Sequence, residues 1–342
     1  MCRQIDSMFR LSVLALSLLS LISSSLAAAG TDSRLAEIDH RVAELKNLRA
    51  VIVARNGEIL YERGPVDVPT NIKSASKTII SALVGIAIDK GVLEGVDQNI
   101  ATFLSASFPE NPDPRLSEIT IEDLMTMRAG LERTSGANYG SWVASPNWVR
   151  DALARPFLDE PGGRMLYSTG NTHLLSAVLT RASGKSTLAL ANDWLGQPLG
   201  LRIASWDRDR QGIYLGGNNM AVSPRDLLKF GELYRNRGTL EGMRILPETW
   251  VDASWTPVTE SFFTGHGYGY GWFSTDLAGQ RVNYAWGHGG QMLYVVPGAG
   301  LTVVMTSDTN GYQRGSGYVE KLHAILGEVI IPAAMEGQSA TR

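Results

Sequence analysis

The chain has 342 residues, with 31 lysines and arginines against 34 aspartates and glutamates, and a formal charge of −3. The chain therefore has no excess of positive charge, and its composition does not favour binding to nucleic acid or to an anionic membrane surface. The single cysteine is Cys2, which excludes a disulfide framework and leaves no thiolate nucleophile in the rest of the chain.

Residues 1–29 have the features of a secretory signal peptide. Arg3 and Arg10 supply a positive start, residues 11–22 an apolar core, and Ala27-Ala28-Ala29 a small-residue cleavage site. We expect cleavage and a periplasmic or secreted location. An uncleaved membrane anchor is the alternative, although the apolar stretch is short for a membrane span.

The first elements after this segment are predicted to be a helix and a hairpin. An amphipathic helix is expected over Arg34 to Leu48. Residues 50–54 and 59–62 are apolar or β-prone and flank Asn56-Gly57, a dipeptide that tolerates positive φ, so they predict a β-hairpin. A further helix is expected from Ser74 to Lys90-Gly91, where glycine is a plausible C-cap.

The middle of the chain, from Gly95 to Arg210, is predicted to be mainly helical and interrupted by proline and glycine. Helices are expected at 120–127, 146–154 and 172–182, with a short extended piece at Met165 to Ser168. Ser223-Pro224 starts a further helix that runs to Asn236, because serine is a favoured N-cap and proline suits the first helical position.

Short strands are predicted beyond Gly265, where aromatic and β-branched residues alternate with turn residues. They are expected at 268–273, 281–286, 292–296 and 301–306, followed by an amphipathic helix over 317–331. Strands at both chain ends around a helical middle predict an α/β (α+β) fold, with one antiparallel sheet, helices on its faces and an inserted helical lobe. We expect one catalytic domain, residues 30–342, whose helical lobe is 91–211 and whose α/β lobe is 30–90 with 212–342.

Ser74 and Lys77 form the most informative motif, S-x-x-K, at the start of an apolar helix. At i and i+3 the two side chains share one helix face. Burial disfavours the ammonium form, so a buried Lys77 can accept the proton of a nucleophilic serine. The alternative is that Ser74 is a helix N-cap and Lys77 is solvated.

Tyr167 is a third candidate, placed after a Pro-Gly-Gly loop and before a helix. A tyrosine can act as a base when cations favour its phenolate, or donate a hydrogen bond when neutral. A half-buried structural tyrosine is the alternative.

Two glycine-rich segments are candidates for substrate contacts. The turn around His288, Gly290 and Gln291 joins two predicted strands, and its backbone N–H groups suit an oxyanion hole. It is equally compatible with an ordinary tight turn. Gly216 to Asn219, including Asn218, presents amide donors, but a turn before the Ser223 helix is the stronger interpretation.

Three other site classes are disfavoured by the sequence. Gly184-Lys185-Ser186 ends like a phosphate loop, but its first glycine is replaced by Leu179. The five histidines show no zinc-ligand spacing, and no G-x-S-x-G elbow surrounds a candidate serine. We therefore expect neither a metal nor a cofactor.

The ordered motifs S-x-x-K, Tyr-Ser and His-Gly-Gly resemble the serine β-lactamase and penicillin-binding-protein superfamily, over about residues 45–330. The resemblance is to the class C-like branch. Within that branch, the motif Gly-His-Gly-Gly-Gln at 287–291 is most similar to the 6-aminohexanoate-dimer hydrolases and esterases. Residues 120–127 and 217–231 agree with the same branch.

The resemblance implies roles for individual residues. Ser74 would be the acylated nucleophile, Lys77 its proton acceptor and Tyr167 the acid/base for the leaving group and the deacylating water. The backbone N–H groups of Ser74 and Gln291 would form the oxyanion hole. His288 stands where β-lactamases carry a lysine.

Thr169 replaces a second β-lactamase residue, the asparagine of Tyr-x-Asn, and both departures weigh against β-lactam turnover. The resemblance implies a secreted serine hydrolase for amide or ester bonds of small molecules or short peptides. The alternatives are a β-lactamase or DD-peptidase, and a catalytically silent cell-wall binding or sensor protein. The sequence leaves the natural substrate and the oligomeric state open.

Overall fold

The computed structural model describes residues 36–313 and 315–339. It divides into two units, which are described separately: residues 47–319, and the terminal segments 36–46 and 320–339. The predicted signal peptide, residues 1–29 with Cys2, lies outside the described residues. None of the described helices is long and apolar enough to cross a membrane.

Helices and strands follow one another along the chain in a mixed order. The α-helices are residues 36–43 (α1), α2 Lys77–Asp89, α3 Ala101–Leu104, α4 Ile121–Met125, α5 Tyr139–Ala144, α6 Trp148–Leu153, α7 Thr169–Ser183, α8 Thr187–Ala191, α9 Gln197–Leu199, α10 Pro224–Arg235, α11 Glu248–Trp255, α12 Tyr318–Ile325 and α13 Ile331–Ser339. The strands are β1 Leu48–Arg55, β2 Glu58–Arg63, β3 Thr70–Asn71, β4 Ile203–Trp206, β5 Met220–Val222, β6 Thr239–Leu240, β7 Met243–Arg244, β8 Thr259–Glu260, β9 Gly267–Tyr268, β10 Phe273–Leu277, β11 Gln280–Gly287, β12 Gln291–Val296 and β13 Leu301–Ser307.

The larger unit is built on an eight-stranded antiparallel sheet in the order β2-β1-β13-β12-β11-β10-β9-β8. Strand β13 lies between β1 and β12, with Ile52 opposite Val304 and Leu293 opposite Val304 on the other side. The predicted sheet built from both ends of the chain is thus confirmed, and so is the α/β fold class.

Close contact between α10 and the sheet depends on a small residue. A Cβ at Gly231 would lie 2.6 Å from side-chain carbons of both Leu293 and Thr302, so a larger residue there would push the helix away from the strands. The helix begins as predicted, with the Ser223 side chain accepting a hydrogen bond from the Asp226 N–H and Pro224 at its first position.

The buried helix α2 follows strand β3 along the chain, after the 3-10 turn Lys73–Ser76, and β3 belongs to the short three-stranded sheet β3-β5-β4. Its residues from Lys77 to Ala87 are all buried, as expected from an apolar pattern on more than one face. Helix α7 packs against it. A buried helix that is fixed along its length provides a rigid base for side chains at its first turn.

Two predicted boundaries are corrected by the structure. The strand expected at 268–273 is divided into β9 and β10. Gly271 has φ +81°, and the Gly269 N–H donates a hydrogen bond to the Trp272 carbonyl across the turn between them. Helix α7 starts at Thr169 and not at 172, so it begins two residues after Tyr167.

The terminal unit is helical in its described residues. The predicted first helix ends earlier than expected: among the described residues of its range, 36–43 are helical, and Leu48 already begins strand β1. The predicted last helix is longer: α12 continues through a π-helical turn at Leu326–Ile330 into α13. The Arg41 guanidinium donates to the Glu328 carboxylate at 2.8 Å, an exposed ion pair of small energetic weight.

Candidate active site

Ser74 lies in a single 3-10 turn, Lys73–Ser76, that joins β3 to the buried helix α2. Its side chain is partly exposed, whereas the following residues Ala75 and Ser76 are buried. Ser74 does not cap the helix, because the cap positions are Ile72 and Ser76 and neither turn has a side-chain cap. Its hydroxyl is therefore available for another role.

Lys77 occupies the first position of α2 and is 1% exposed. Its ammonium nitrogen lies 3.1 Å from the Ser74 Oγ and donates to the Gly217 carbonyl at 2.7 Å. Burial lowers the pKa of Lys77 from its usual value near 10.5 to about 7, since desolvation disfavours the charged form. A substantial fraction of the amine is then neutral at neutral pH.

Gly217 is a functional position that the sequence interpretation missed. The sequence predicts a turn at 216–219, and the structure has one there. In addition, the Gly217 carbonyl accepts a hydrogen bond from the Lys77 amine. A Cβ at Gly217 would lie 2.7 Å from the Lys77 Nζ and would also clash with the Thr172 hydroxyl. The signal for this role was the Gly-Gly pair, because paired glycines permit close backbone approach.

Tyr167 lies beside the Ser74–Lys77 pair. Its ring centroid is 5.2 Å from the Lys77 Nζ. Burial raises the pKa of Tyr167 to about 12, and a side-chain hydrogen bond with Ser74 opposes only part of that rise. The phenol is therefore neutral near pH 7, which favours a proton donor over a resting phenolate base.

The segment around Tyr167 is fixed by Thr134 and Ser135, two further residues missed from the sequence. The Thr134 N–H donates to the Ser168 hydroxyl at 3.0 Å, and the Thr134 hydroxyl accepts from the Gly170 N–H at 2.7 Å. The Ser135 hydroxyl accepts from the Thr169 N–H at 2.8 Å and pairs with the Thr169 hydroxyl at 3.0 Å. Both the backbone N–H and the side-chain hydroxyl of Thr169 are thus engaged within the protein.

The residue before Ser74 has a backbone conformation that is costly for a side chain. Lys73 has φ +52°, in the left-handed region that favours glycine. Its N–H donates to the Asn71 Oδ1 at 3.0 Å, and the Asn71 amide donates to the Asn219 Oδ1 at 3.1 Å. The Asn219 amide donates in turn to Asp207 at 2.8 Å. This series of hydrogen bonds from Lys73 to Asp207 stabilises the turn that contains Ser74.

The turn after β11 lies next to the Ser74 turn. A Cβ at Gly287 would clash with the Ile72 carbonyl, so the end of β11 and the start of the Ser74 turn are in close contact. The carbonyl of Gly290 accepts from the Ser307 hydroxyl at 3.1 Å, and the Gln291 side chain exchanges two hydrogen bonds with the Ser307 backbone. The Gln291 side chain is buried and committed to the strand pair, which leaves its main chain as the part that can face a substrate.

His288 and Asn218 are placed differently from the three central residues. The His288 side chain is exposed, and its ring lies 4.8 Å from that of Tyr312 in an edge arrangement. The Asn218 amide donates to the Tyr139 hydroxyl at 2.9 Å, while its carbonyl oxygen accepts from the Asn219 N–H. The structure therefore brings Ser74, Lys77 and Tyr167 together, with His288 and Asn218 on neighbouring turns whose contacts are to other protein groups.

The arrangement contains the components of acyl transfer. The partly exposed Ser74 hydroxyl is hydrogen-bonded to an amine whose pKa is near neutrality, and a neutral phenol lies beside both groups. No group of three histidine, cysteine or acidic side chains that could hold a metal ion occurs among the described residues. A nucleophile, a base and an acid within hydrogen-bonding reach form the pattern of covalent catalysis.

A family model described as Beta-lactamase matches residues 45–325, which is most of the chain. The chain belongs to the β-lactamase family. The sequence-based assignment to the serine β-lactamase and penicillin-binding-protein superfamily is thereby confirmed.

Solved structures agree with this fold. A Bacillus anthracis protein with the provisional name 6-aminohexanoate-dimer hydrolase has a TM-score of 0.71 at 18% identity, covering 88% of this chain and 82% of its own. EstCE1, described as a hydrolase with promiscuous acyltransferase activity, has a TM-score of 0.71 at 20% identity and covers 88% of this chain and 99% of its own.

A relative by sequence is the esterase EstB from Burkholderia gladioli. It is 30% identical over 235 residues, which are 59% of this chain and 59% of EstB. Together with the family match, these relatives place the protein among the hydrolases of the serine β-lactamase superfamily.

Proposed function

We propose that the protein hydrolyses ester or amide bonds of small molecules or short peptides through a covalent acyl-enzyme on Ser74. The observation that carries this proposal is the buried Lys77 amine, 3.1 Å from the Ser74 hydroxyl and with its pKa lowered to about 7. A buried lysine in this state costs folding stability, and its neutral amine beside a serine hydroxyl suits the role of proton acceptor.

Acylation follows from the positions of the three side chains. Lys77 in its neutral form takes the Ser74 proton as the Oγ attacks the carbonyl carbon. The new ester bond forms, the bond to the leaving oxygen or nitrogen breaks, and Tyr167 gives its proton to the leaving group. The proton held by Lys77 then restores the phenol, so that the enzyme returns with no net change in protons.

Deacylation repeats the sequence with water in place of the leaving group. The neutral Lys77 amine first takes the proton of the Tyr167 phenol, and the resulting phenolate accepts a proton from the water as it attacks the acyl carbon. The ester bond to Ser74 then breaks, and the proton on Lys77 passes to the Ser74 oxygen, which restores the resting enzyme. The backbone N–H groups of Ser74 and Gln291 stabilise the charge on the carbonyl oxygen in both steps. Donors that are fixed by a helix start and by a strand start need no reorganisation when this charge develops.

Ester or amide substrates fit this site better than β-lactams. The side chain at 169 is a threonine bonded to Ser135, and the side chain at 288 is a histidine packed against Tyr312. Neither supplies the amide or ammonium group that, by family resemblance, contacts a β-lactam. The names of the esterase and amide-hydrolase relatives support the same choice.

Export is part of the proposal. Residues 1–29 would direct the chain to the periplasm or outside the cell and be removed, leaving a catalytic domain whose partners are small molecules. N-terminal sequencing of the protein from cell fractions would test this directly. A mature chain that starts near residue 30 supports export, and an intact Met1 in the cytoplasmic fraction contradicts it.

A panel of four substrates tests the proposed activity: p-nitrophenyl esters, linear amide oligomers, a chromogenic cephalosporin and a D-Ala-D-Ala peptide. We expect turnover of an ester or linear amide that is lost in Ser74→Ala, with little cephalosporin turnover. Ester hydrolysis that persists in Ser74→Ala would contradict the proposal. A folded protein that binds cell-wall peptides and forms no acyl adduct would support the silent sensor instead.

A further inference from the structure

Phe262 and Phe263 form an exposed aromatic surface beside the candidate catalytic tyrosine. They are 57% and 41% exposed and are the only exposed Phe, Tyr or Trp side chains among residues 36–313 and 315–335. Their ring centroids lie 3.8 Å apart. Two adjacent exposed phenylalanines cost solubility, and such surfaces mark sites where a ligand or partner is bound.

The aromatic surface is continuous with the site. The Phe263 ring contacts the Tyr167 ring edge-on, with 5.7 Å between the ring centroids. It also contacts the Trp286 ring near the end of β11, with 6.3 Å between the centroids. Both phenylalanines lie in the turn between β8 and β9, which is closed by hydrogen bonds from Ser261 to His266 and from Gly265 back to Ser261. The surface is therefore held in place next to the proposed acid.

A cation borders the far end of this surface. The Arg133 guanidinium carbon lies 5.5 Å from the Phe262 ring centroid. Within the part of the chain that the structure describes, no carboxylate lies within salt-bridge distance of Arg133. By contrast, the preceding residue Glu132 is paired with Arg155. A guanidinium that is not paired with any described carboxylate is a bidentate partner for a substrate carboxylate.

We propose that Phe262, Phe263 and Arg133 form the leaving-group subsite, and that the preferred leaving group is an apolar, aryl-sized alcohol or amine that carries a carboxylate. The assignment rests on the proposed function, because it is Tyr167 that delivers a proton to the leaving oxygen or nitrogen. A group bonded to that atom lies on the Tyr167 side of Ser74. Its apolar part packs on Phe263 and Phe262, and its carboxylate reaches Arg133.

Acetate esters isolate the leaving group, because every one of them produces the same acetyl-enzyme. Three esters are compared with the full-length protein: ethyl acetate, methyl 4-acetoxybenzoate and 4-acetoxybenzoate. Ratios of variant to wild-type kcat/KM remove the differences in intrinsic ester reactivity. The rate of acetyl-enzyme hydrolysis is measured separately, since it occurs after the leaving group has departed.

For Phe263→Ala we expect kcat/KM to fall about 10-fold with both aryl esters and less than about 3-fold with ethyl acetate, the scale of a lost apolar contact. For Arg133→Gln we expect kcat/KM to fall about 10-fold with 4-acetoxybenzoate and to stay unchanged with the other two esters. Arg133→Lys should retain part of the kcat/KM that is lost in Arg133→Gln. Deacylation should not change in any variant. Ile59→Ala, an exposed apolar residue on β2, should leave all three esters unaffected.

Equal losses for all three esters, or losses that appear in deacylation, would overturn the subsite. The outcome is separable from the proposed function. If Ser74 forms no acetyl-enzyme with any ester, the proposed mechanism fails. If acetyl-Ser74 forms but neither variant discriminates among leaving groups, only the subsite fails. Circular dichroism of each variant confirms that the comparison is between folded proteins.

Discussion

The Lys77 amine and the Ser74 hydroxyl lie 3.1 Å apart, and of these two side chains the serine is partly exposed while the lysine is buried. The amine has one other hydrogen-bond acceptor, the Gly217 carbonyl, and no carboxylate of the described residues forms an ion pair with it. Burial alone lowers its pKa. Its charge is thus disfavoured by burial and not restored by a counter-ion. This relationship leads to two predictions about pH.

Activity should rise with pH through the pKa of Lys77. Below about pH 7 the amine is protonated and cannot accept the serine proton, so kcat/KM should fall about tenfold for each unit of pH. The measurement is kcat/KM for a neutral ester between pH 5 and 9. A profile that is flat from pH 5 to 8 would exclude Lys77 as the base of the acylation step.

Folding stability should respond to the same group in a different pH range. Between about pH 7 and 10 the unfolded chain holds a proton on Lys77 that the folded protein has lost, so the free energy of unfolding should increase with pH. In Lys77→Met this increase should be smaller by about 1.4 kcal/mol per pH unit. Urea unfolding at pH 7, 8.5 and 10 tests the difference, and parallel curves for the two proteins would contradict it.

The left-handed backbone of Lys73 gives a prediction about positioning. Asn71→Ala removes the acceptor of the Lys73 N–H and should slow acylation of Ser74 about 5- to 10-fold, because the strained conformation costs roughly 1–2 kcal/mol. Lys73→Gly in the same protein should restore most of the rate, since glycine adopts a positive φ freely. Stopped-flow acylation rates provide the measurement.

The Asn71→Ala experiment carries its own control. Lys73→Gly alone should retain near wild-type activity, because the Lys73 side chain has no assigned part in the chemistry. If glycine at 73 fails to rescue Asn71→Ala while the double variant remains folded, the amide network does not act through the backbone of this turn.

Gly217 should not tolerate even one methyl group. In Gly217→Ala the added Cβ would approach the Lys77 Nζ at 2.7 Å, displacing the amine from Ser74, and we expect kcat/KM to fall at least about 10-fold. The matched control is Gly140→Ala in α5, where a Cβ meets no atom within 4 Å. Equal activity of the two variants would show that the Gly217 carbonyl does not position Lys77.

The sequence predicts local elements and the order of the motifs well. The Asn56-Gly57 hairpin, the Ser223 cap and the strands β11 to β13 follow from turn chemistry and from alternation of apolar residues, which depend on neighbours in the chain. The site trio follows from one i, i+3 pair and from the resemblance that links it to Tyr167.

The parts that sequence reasoning missed depend on distant contacts. Gly217 is 140 residues from Lys77, and Asn71 bonds to Asn219 across 148 residues. Nothing in the composition of either segment specifies its partner. The division of the predicted strand at 268–273 likewise depends on the backbone of Gly271, which a pattern of aromatic residues does not reveal.

Intact-protein mass spectrometry after reaction with a fluorophosphonate probe tests the covalent mechanism most directly. We predict a single adduct that maps by peptide digestion to Ser74, and a loss of labelling of at least about 10³-fold in Ser74→Ala. An adduct of the same mass and rate in the folded Ser74→Ala protein, or one that maps to another residue, would contradict the account.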